Sequence, residues 1–379
     1  MPIIIAFSIV AVSVSAILYK TYVGYGDYNW YTKLGFFLFT VVSLAAPFIC
    51  YGLRNSTTWS FLIHYNKILY FLFGFIFFLF VITLLRDIFW VVADVIRHVP
   101  LEEMKNPTHL QTANLITIAA CLFICLYGVY EAEKNAAIIN YDITSLKIKK
   151  ETKVVMLADL HIDRDVPVKY VDNLVNRVNS LDADAVVLVG DIIDNSPNNL
   201  TEQMQALKEL KAKEGVYVVL GNHEFYAGGI LWGIAFEKMG FKFLNNYGSH
   251  LADTGIYIAG IPDINTSSWA KMPVNLGNAL YYANPEDYVI MLSHTPKIVE
   301  GMTKDNVDLE LSGHTHGGQI YPFHYLAKKS NDGHLAGFYD EQGIKMYVSR
   351  GTRYWGPPMR IFAPSEITVF NFKPEKTNE

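Results

Sequence analysis

Long apolar runs dominate the first third of the chain, and four of them are almost free of charged residues. A membrane-spanning helix needs about 20 mostly apolar residues in succession. The runs that meet this length predict spans at about 2–19, 34–52, 68–86 and 113–130. Lys, Arg, Tyr and Trp gather at their ends, as is typical of side chains at the membrane–water interface. We therefore expect residues 1–135 to form a bundle of about four transmembrane helices.

The first apolar run has two interpretations. A cleaved signal peptide would begin with positive charge and end in a small-residue cleavage site, and this run has neither feature clearly. A retained signal anchor fits better. With four spans both flanking segments share one side of the membrane, and the Lys and Arg balance slightly favours the cytoplasm. The pattern predicts a multi-pass protein of the inner or plasma membrane with its second part facing the cytoplasm.

Short apolar strands alternate with amphipathic helices in the remainder of the chain. We expect a linker at 136–152, one α/β domain at 153–373 and a frayed tail at 374–379. Strands are predicted at 154–158, 185–189, 216–220, 256–259, 288–292, 307–311, 345–348 and 367–372. Helices are predicted at 168–181 and 200–212 from their apolar spacing.

Composition narrows the class of protein further. The formal net charge is -5, and no basic stripe of the kind that binds nucleic acid is present. All three cysteines lie in the apolar runs, so the second part of the chain has no disulfide scaffold. The bilayer is therefore the partner that composition predicts, and nucleic acid is excluded.

Blocks rich in His, Asp and Asn follow the ends of the predicted strands. They are Asp159-Leu160-His161, Gly190-Asp191-Ile192-Ile193-Asp194, Gly221-Asn222-His223-Glu224, Ser293-His294 and Gly313-His314-Thr315-His316-Gly317-Gly318. Loops at the carboxyl ends of strands in open α/β sheets converge on one site. Nitrogen and oxygen donors without thiolate suit manganese, iron or zinc. The blocks predict two divalent metal ions close together.

These blocks and their order resemble the calcineurin-like metallophosphoesterase superfamily. The late segments Trp355-Gly356-Pro357-Pro358-Met359-Arg360 and Ala363-Pro364-Ser365-Glu366-Ile367-Thr368 are similar to its membrane-attached branch. That branch includes transmembrane proteins with a metallophosphoesterase domain, and its relatives include UDP-2,3-diacylglucosamine hydrolases. The resemblance implies a four-layer α/β/β/α domain.

The resemblance also implies a role for each site residue. One metal ion would be held by Asp159, His161, Asp191 and His316. The other would be held by Asn222, His294 and His314, with Asp191 bridging the two ions. His223 would contact the phosphate and protonate the leaving group, and Asp194 would orient His223.

The function implied is that of a metal-dependent phosphoric ester hydrolase, in which a metal-bridging hydroxide attacks phosphorus. The expected substrate is a lipid-linked phosphodiester or pyrophosphate, such as UDP-2,3-diacylglucosamine. An anchored phosphatase or nucleotide phosphodiesterase acting on phosphorylated small molecules is the alternative. A catalytically silent membrane sensor is disfavoured because the ligand set is complete.

Two features leave alternatives open. The apolar segment Phe225–Leu244 could pack into the core, as the helical spacing of Ile230, Leu231 and Ile234 favours, or some of its apolar side chains, Trp232 among them, could form a lip for an acyl chain. Arg353 and Arg360 could each grip a substrate phosphate or be ordinary structural arginines. Glu224 stands where the family commonly has Asp, a departure that leaves the metal ligands intact.

Overall fold

The chain divides into two compact units, each described here by itself. The computed structural model describes residues 2–24, 26–55, 62, 65–97, 106–266 and 270–375. The first unit holds residues 1–131 together with Gly356–Met359, and the second holds Ala132–Trp355 and the residues from Arg360 onward.

Four long apolar helices build the first unit. They are α1 Pro2–Tyr19, α2 Trp30–Asn55, α3 Asn66–Arg97 and α4 Pro107–Glu133. A π-helical turn, Lys20–Gly24, extends α1. By length and composition, all four are able to cross a membrane. Large apolar side chains such as Phe89 and Phe123 are exposed on their surfaces, which suits contact with lipid.

Helix α3 continues beyond Arg86, the residue at which the apolar pattern predicts its end. Arg86 Nη1 donates a hydrogen bond to Asn114 Oδ1 at 2.7 Å, and its Nε donates to Asp87 Oδ1 at 2.9 Å. Asn114 Nδ2 in turn donates to the carbonyl oxygen of Thr21 at 2.9 Å. Polar groups inside an apolar bundle need such partners, and these contacts connect α1, α3 and α4.

Two six-stranded sheets form the second unit. Sheet 1 has the order β1-β12-β2-β3-β4-β5, and sheet 2 has the order β10-β11-β9-β8-β7-β6. The strands of sheet 1 are β1 Ala137–Ser145, β2 Thr152–Leu157, β3 Ala185–Val189, β4 Val216–Val219, β5 Lys242–Phe243 and β12 Glu366–Pro374. Those of sheet 2 are β6 Tyr247–His250, β7 Ile256–Gly260, β8 Tyr288–Leu292, β9 Leu309–Ser312, β10 Gly337–Glu341 and β11 Ile344–Val348.

The stretch 136–152, predicted to be a linker, contains strand β1. This strand pairs in parallel with β12 over its whole length, from Ala137 opposite Glu366 to Ser145 opposite Pro374. The segment therefore belongs to the folded domain.

Within the described residues of the second unit, six shorter α-helices flank the sheets. They are α5 Val168–Asn179, α6 Thr201–Leu207, α7 Asn222–Ala227, α8 Ile230–Lys238, α9 Leu276–Ala279 and α10 His324–Ser330. Helix α5 buries Val171, Leu174, Val175 and Val178, the face that the sequence spacing predicts. Helix α6 ends at Leu207 and is shorter than the predicted 200–212.

Successive side chains of β2 face two different hydrophobic cores, one on each face of sheet 1. Val154 and Met156 face the core between the two sheets, whereas Val155 and Leu157 face the core that includes residues of α5 and α8. A third core on the outer face of sheet 2 includes Ala279 from α9. Each fully buried Val or Leu contributes about 1.5–3 kcal/mol to burial energy. The four-layer α/β/β/α fold class is confirmed.

Strands β2, β3 and β4 run parallel in sheet 1, and β7, β8 and β9 run parallel in sheet 2. The loops after these strands carry the polar blocks. The fold therefore gathers chemically active side chains at the carboxyl ends of strands from both sheets.

Candidate metal centre

Left-handed backbone turns introduce most of the polar blocks. Positive φ angles of 45–69° occur at Asp159, His161, Asp191, His314 and His316. Asp and His adopt this region more readily than most residues, but each such turn still costs on the order of 1 kcal/mol. These turns lie at or shortly after the ends of the strands, and the side chains that they carry come close to one another.

The first ligand cluster consists of Asp159, His161 and His316, whose ligand atoms all lie within 4.8 Å of one another. His161 Nε2 is 3.0 Å from His316 Nε2, and His316 Nε2 is 3.6 Å from Asp159 Oδ1. Two imidazole nitrogens at this distance can share either a proton or a metal cation. Burial lowers the pKa of His316 well below its usual range, so its imidazole is in the neutral form that binds metals.

The second cluster consists of Asp191, His294 and His314. His294 Nε2 lies 3.2 Å from Asp191 Oδ2 and 3.3 Å from His314 Nδ1. The opposite nitrogen, His294 Nδ1, is 2.9 Å from the carbonyl oxygen of Val189 and donates to it. That hydrogen bond directs the Nε2 lone pair toward the cluster, as is typical of a histidine ligand.

Asn222 supplies an independent indication of a cation. Its Oδ1 is buried and accepts no hydrogen bond within the described part of the chain. A buried amide oxygen without a donor costs about 1–3 kcal/mol, and native proteins usually satisfy such atoms. A cation held with His294 and His314 would satisfy this oxygen, so the donor set fits the metal that the blocks predict.

Asp191, a member of the second cluster, also faces the first cluster. Its Oδ2 is 3.2 Å from His294 Nε2 and 3.9 Å from His161 Nε2, so a single oxygen faces both groups. Burial acts to raise the pKa of Asp191, but the imidazoles of His294 and His223 outweigh it and hold that pKa far below its usual range. The ionised carboxylate is thus in the form required of a bridging ligand.

His223 and Asp194 form a pair at the mouth of the site. His223 Nδ1 lies 2.6 Å from Asp194 Oδ1, and the same oxygen lies 2.9 Å from His161 Nδ1. Burial opposes protonation of His223, but the carboxylates of Asp191 and Asp194 outweigh it and raise its pKa to about 9. Its ring lies 5.5 Å from the rings of both Trp355 and Tyr226.

Glu224 is a supporting residue whose function the sequence left unassigned. Its buried carboxylate accepts four backbone N–H bonds of 2.7–2.9 Å, from Asp191, Ile192, Ile193 and Gly221. The glutamate therefore joins the loop after β3 to the loop after β4. The only signal in the sequence is its position directly after the Asn222-His223 pair.

Arg353 and Arg360 are structural arginines. Arg360 is fully buried and donates to the carbonyl oxygens of His316, Ala363, Arg350 and Arg353. Arg353 is buried as well and donates to the carbonyl oxygen of His161. Both side chains support the loops of the site, and neither guanidinium is placed to grip a phosphate.

Trp232 belongs to the core, so the acyl-lip interpretation is wrong for this residue. It is fully buried, and its Nε1 donates to the carbonyl oxygen of Asn195 at 2.9 Å. Phe236 is buried beside it, whereas Tyr226 is exposed, and core packing is wrong for Ile230, Leu231 and Ile234, which are exposed as well. The spacing in the sequence shows a helix but does not tell which side faces the core.

Comparisons with known proteins extend this picture. A family model described as calcineurin-like phosphoesterase matches residues 152–318, which include every predicted site residue. An uncharacterised metallophosphoesterase of Campylobacter jejuni is 34% identical over 264 residues, covering 69% of this chain and 70% of that protein. A Danio rerio protein named transmembrane protein with metallophosphoesterase domain is 29% identical over 281 residues, covering 70% and 64% respectively. The solved structure of TT1561 from Thermus thermophilus aligns with 54% of this chain and 91% of its own, at 12% identity and a TM-score of 0.35.

Proposed function

This chain belongs to the calcineurin-like phosphoesterase family, and we propose that it hydrolyses the phosphoester of a lipid-linked substrate at a membrane surface. The observation that carries the proposal is Asp191 facing both ligand clusters, with His223 beside it. The four apolar helices supply the second half of the proposal, because they imply a bilayer next to the catalytic chain.

The residues divide into two ligand groups. We assign Asp159, His161, Asp191 and His316 to one divalent ion, in keeping with the first cluster. Asn222, His294 and His314 take the second ion together with Asp191. Manganese, iron and zinc suit these donors. Two such ions lower the pKa of a water molecule and neutralise charge on phosphoryl oxygens.

His223 is the proposed general acid. Its Nδ1 is engaged by Asp194, so Nε2 is the nitrogen available to the leaving oxygen of the substrate. The carboxylates nearby favour the imidazolium, which carries the proton to be donated. The leaving group then departs protonated, as an alcohol from a phosphodiester or as a phosphate carrying the transferred proton from a pyrophosphate. His223 must take up a proton before the next cycle.

The proposed substrate is an amphiphile containing a phosphodiester or pyrophosphate, such as UDP-2,3-diacylglucosamine. Trp355 and Tyr226 place apolar surface against His223, where an uncharged part of the substrate would pass. Helix α4 ends at Glu133 and strand β1 begins at Ala137, so tethering gives a lipid substrate a high effective concentration. An anchored phosphatase or nucleotide phosphodiesterase is the second candidate, and it shares the same chemistry.

The proposed organisation follows the sequence pattern. The first 135 residues serve as the membrane region, and the catalytic domain, which β1 extends back to Ala137, faces the cytoplasm. Four spans place the residues before α1 and those after α4 on the same side of the membrane. Protease protection in sealed inner-membrane vesicles of known orientation tests this topology. In right-side-out vesicles, cleavage of the catalytic domain only after the vesicles are opened would place the domain on the cytoplasmic side. Cleavage in the intact vesicles would contradict the proposed topology.

The proposed activity can be tested with the full chain in nanodiscs. Turnover of bis-p-nitrophenyl phosphate and of UDP-2,3-diacylglucosamine is measured after loading with manganese, iron or zinc. Asp191→Asn should abolish turnover and lower the bound metal, whereas the surface variant Asp182→Asn should retain both. A strong preference for the lipid supports the proposed substrate class, and equal or better turnover of nucleotides and simple monoesters supports the second candidate. Metal binding without turnover of any of these esters would contradict the hydrolase proposal.

A further inference from the structure

Trp355 connects the metal centre to a larger apolar surface. Its ring lies 5.5 Å from the ring of His223 and 6.4 Å from that of His161. Its backbone N–H donates to Gln319 Oε1 at 2.9 Å, and Gln319 Nε2 donates to its carbonyl oxygen at 2.8 Å. Two hydrogen bonds in opposite directions hold the exposed indole at the mouth of the site.

Beyond Gln319 the apolar surface continues on one side of the site. Ile320 forms a parallel bridge to Ile361, and the Tyr321 ring lies 6.0 Å from Phe362 and 6.1 Å from Tyr325. Ile320 and Ile361 are buried, whereas the three aromatic side chains project into solvent, with Phe362 78% exposed and Tyr325 64% exposed. Leu326 on the same helix, α10, is exposed as well.

A second group of apolar side chains also lies beside His223. The Tyr226 ring is 5.5 Å from that imidazole, and Tyr226 is itself exposed. The first turns of α8 then expose Ile230, Leu231 and Ile234, with Leu231 at 57%. Contiguous exposed apolar surface around a site usually marks an interaction face rather than ordinary protein surface.

The charge near this surface indicates what it contacts. Helix α10 carries Lys328 and Lys329 in its last turn, and both are exposed. Exposed Trp and Tyr beside Lys is the combination found at membrane–water interfaces, where the rings enter the headgroup region and the cations attract anionic lipids. Aromatic residues are enriched at protein interfaces too, but Lys is depleted there, so Lys328 and Lys329 favour a bilayer. This chain also carries helices of membrane-spanning length.

We propose that this face, termed the apolar rim and formed by Tyr226, Leu231, Tyr325, Leu326, Trp355 and Phe362, docks on an anionic lipid bilayer. Docking would place the metal centre at the depth of the headgroup phosphates, so that a lipid substrate reaches it without leaving the membrane. The inference rests on the proposed function for its purpose, but the docking itself requires no catalysis.

The test uses spin labels on the full chain in nanodiscs. Leu231→Cys, Tyr325→Cys and Phe362→Cys are made singly in a background whose three native cysteines are replaced by alanine, and each is labelled with a nitroxide. The control is Tyr281→Cys, because Tyr281 is 74% exposed but lies on the segment leading into the start of β8, opposite its His294 end. Thermal unfolding of each labelled protein checks that the fold is retained.

The readout is the collision rate of the nitroxide with oxygen, which partitions into lipid, and with a water-soluble nickel chelate. In nanodiscs containing phosphatidylglycerol, the three rim labels should collide more with oxygen and several-fold less with nickel than the Tyr281→Cys label. Adding Lys328→Glu and Lys329→Glu should reduce this difference in phosphatidylglycerol nanodiscs and leave it nearly unchanged in phosphatidylcholine alone.

Each outcome bears on the docking separately from the activity. Rim labels as accessible to nickel as the control would overturn docking, even if lipid hydrolysis were found. Rim labels shielded from both reagents would show that protein covers this face and would also overturn it. Lipid-type accessibility without hydrolysis of any ester would support docking and contradict the proposed function.

Discussion

Asp194 holds His223 through a 2.6 Å contact between Oδ1 and Nδ1, and the same carboxylate oxygen lies 2.9 Å from Nδ1 of His161. One oxygen therefore orients both the proposed acid and a residue of the first ligand cluster. The position of the acid relative to the metal centre is consequently fixed through a single side chain.

Replacing Asp194 with Asn should impair proton donation. The negative charge of Asp194 helps to raise the pKa of His223, and the acid form exists only below that pKa. The alkaline limb of the kcat profile should therefore move to lower pH in the variant. For a substrate with a poor leaving group, kcat should fall by about 10²–10⁴-fold, the usual contribution of a general acid. A good leaving group such as p-nitrophenolate should show a smaller loss, and equal losses for both leaving groups would contradict the role.

Gly221→Ala should disrupt the metal centre by contact alone. Gly221 has φ −91°, which alanine adopts without strain, but an added Cβ would overlap the Oδ1 of Asp191. The Asp191 carboxylate would have to move, so we expect the bound metal measured by plasma mass spectrometry to fall by at least about half. The control is Gly277→Ala, whose Cβ would have its nearest neighbour, Asn275 Oδ1, at 3.5 Å. Full metal content in Gly221→Ala would show that Asp191 does not need this close approach.

Glu224→Gln should weaken the loops that carry Asp191 and Asn222. Each carboxylate oxygen accepts two backbone N–H groups, so an amide NH₂ in either orientation leaves two buried donors unsatisfied. The expected loss is about 2–6 kcal/mol in the free energy of unfolding, at about 1–3 kcal/mol for each donor. Denaturant titration followed by tyrosine and tryptophan fluorescence measures it. The control is Glu237→Gln, on the exposed face of α8, which should change the free energy of unfolding little. Comparable losses in both variants would show that the hydrogen bonds to Glu224 do not stabilise these loops.

Glu310 should make the stability of the catalytic domain depend on pH. It is fully buried on β9, with one oxygen accepting from Ser312 and the other without a partner in the described part of the chain. Burial raises its pKa to about 8, from 4.5. The folded state then binds more protons than the unfolded state between these pH values, so stability falls as pH rises through that window, by up to about 1.4 kcal/mol per pH unit.

Glu310→Gln removes that titration and keeps a similar shape. Unfolding free energies measured at a series of pH values from about 5 to about 8 should fall more steeply with pH in the wild type than in the variant. Parallel curves for the two proteins would show that Glu310 does not titrate in this range.

Much of the domain could be predicted because the relevant signals are local. Val154–Ala158 reads as a buried strand from five apolar residues in succession, and Asp159 follows its end. Ala185–Val189 is likewise a run of five apolar residues, and Gly190-Asp191 follows its end. Left-handed turns directly after these strands then bring the side chains together, as the positions of the blocks predict.

The features that the sequence pattern did not predict depend on contacts between residues that are far apart in the chain. Strand β1 is a strand because β12 lies beside it, and Asp142 meets Asn371 across that pairing. Its alternating polar residues give no strong local signal when read alone. The burial of Trp232 and Arg360 likewise depends on which elements pack against them, and spacing within one segment carries no information about that.

The place of β12 in sheet 1 has a consequence for biosynthesis. This strand lies between β1 and β2, although it is translated after every residue of the metal centre. Until residues 366–374 have emerged, the edge of β2 that leads to Asp159 lacks its neighbour, while the apolar helices have already been made. A nascent chain that is interrupted before this point holds every residue of the metal centre but leaves the edge of β2 unpaired. Sheet 1 is therefore completed only after residues 366–374 have been made.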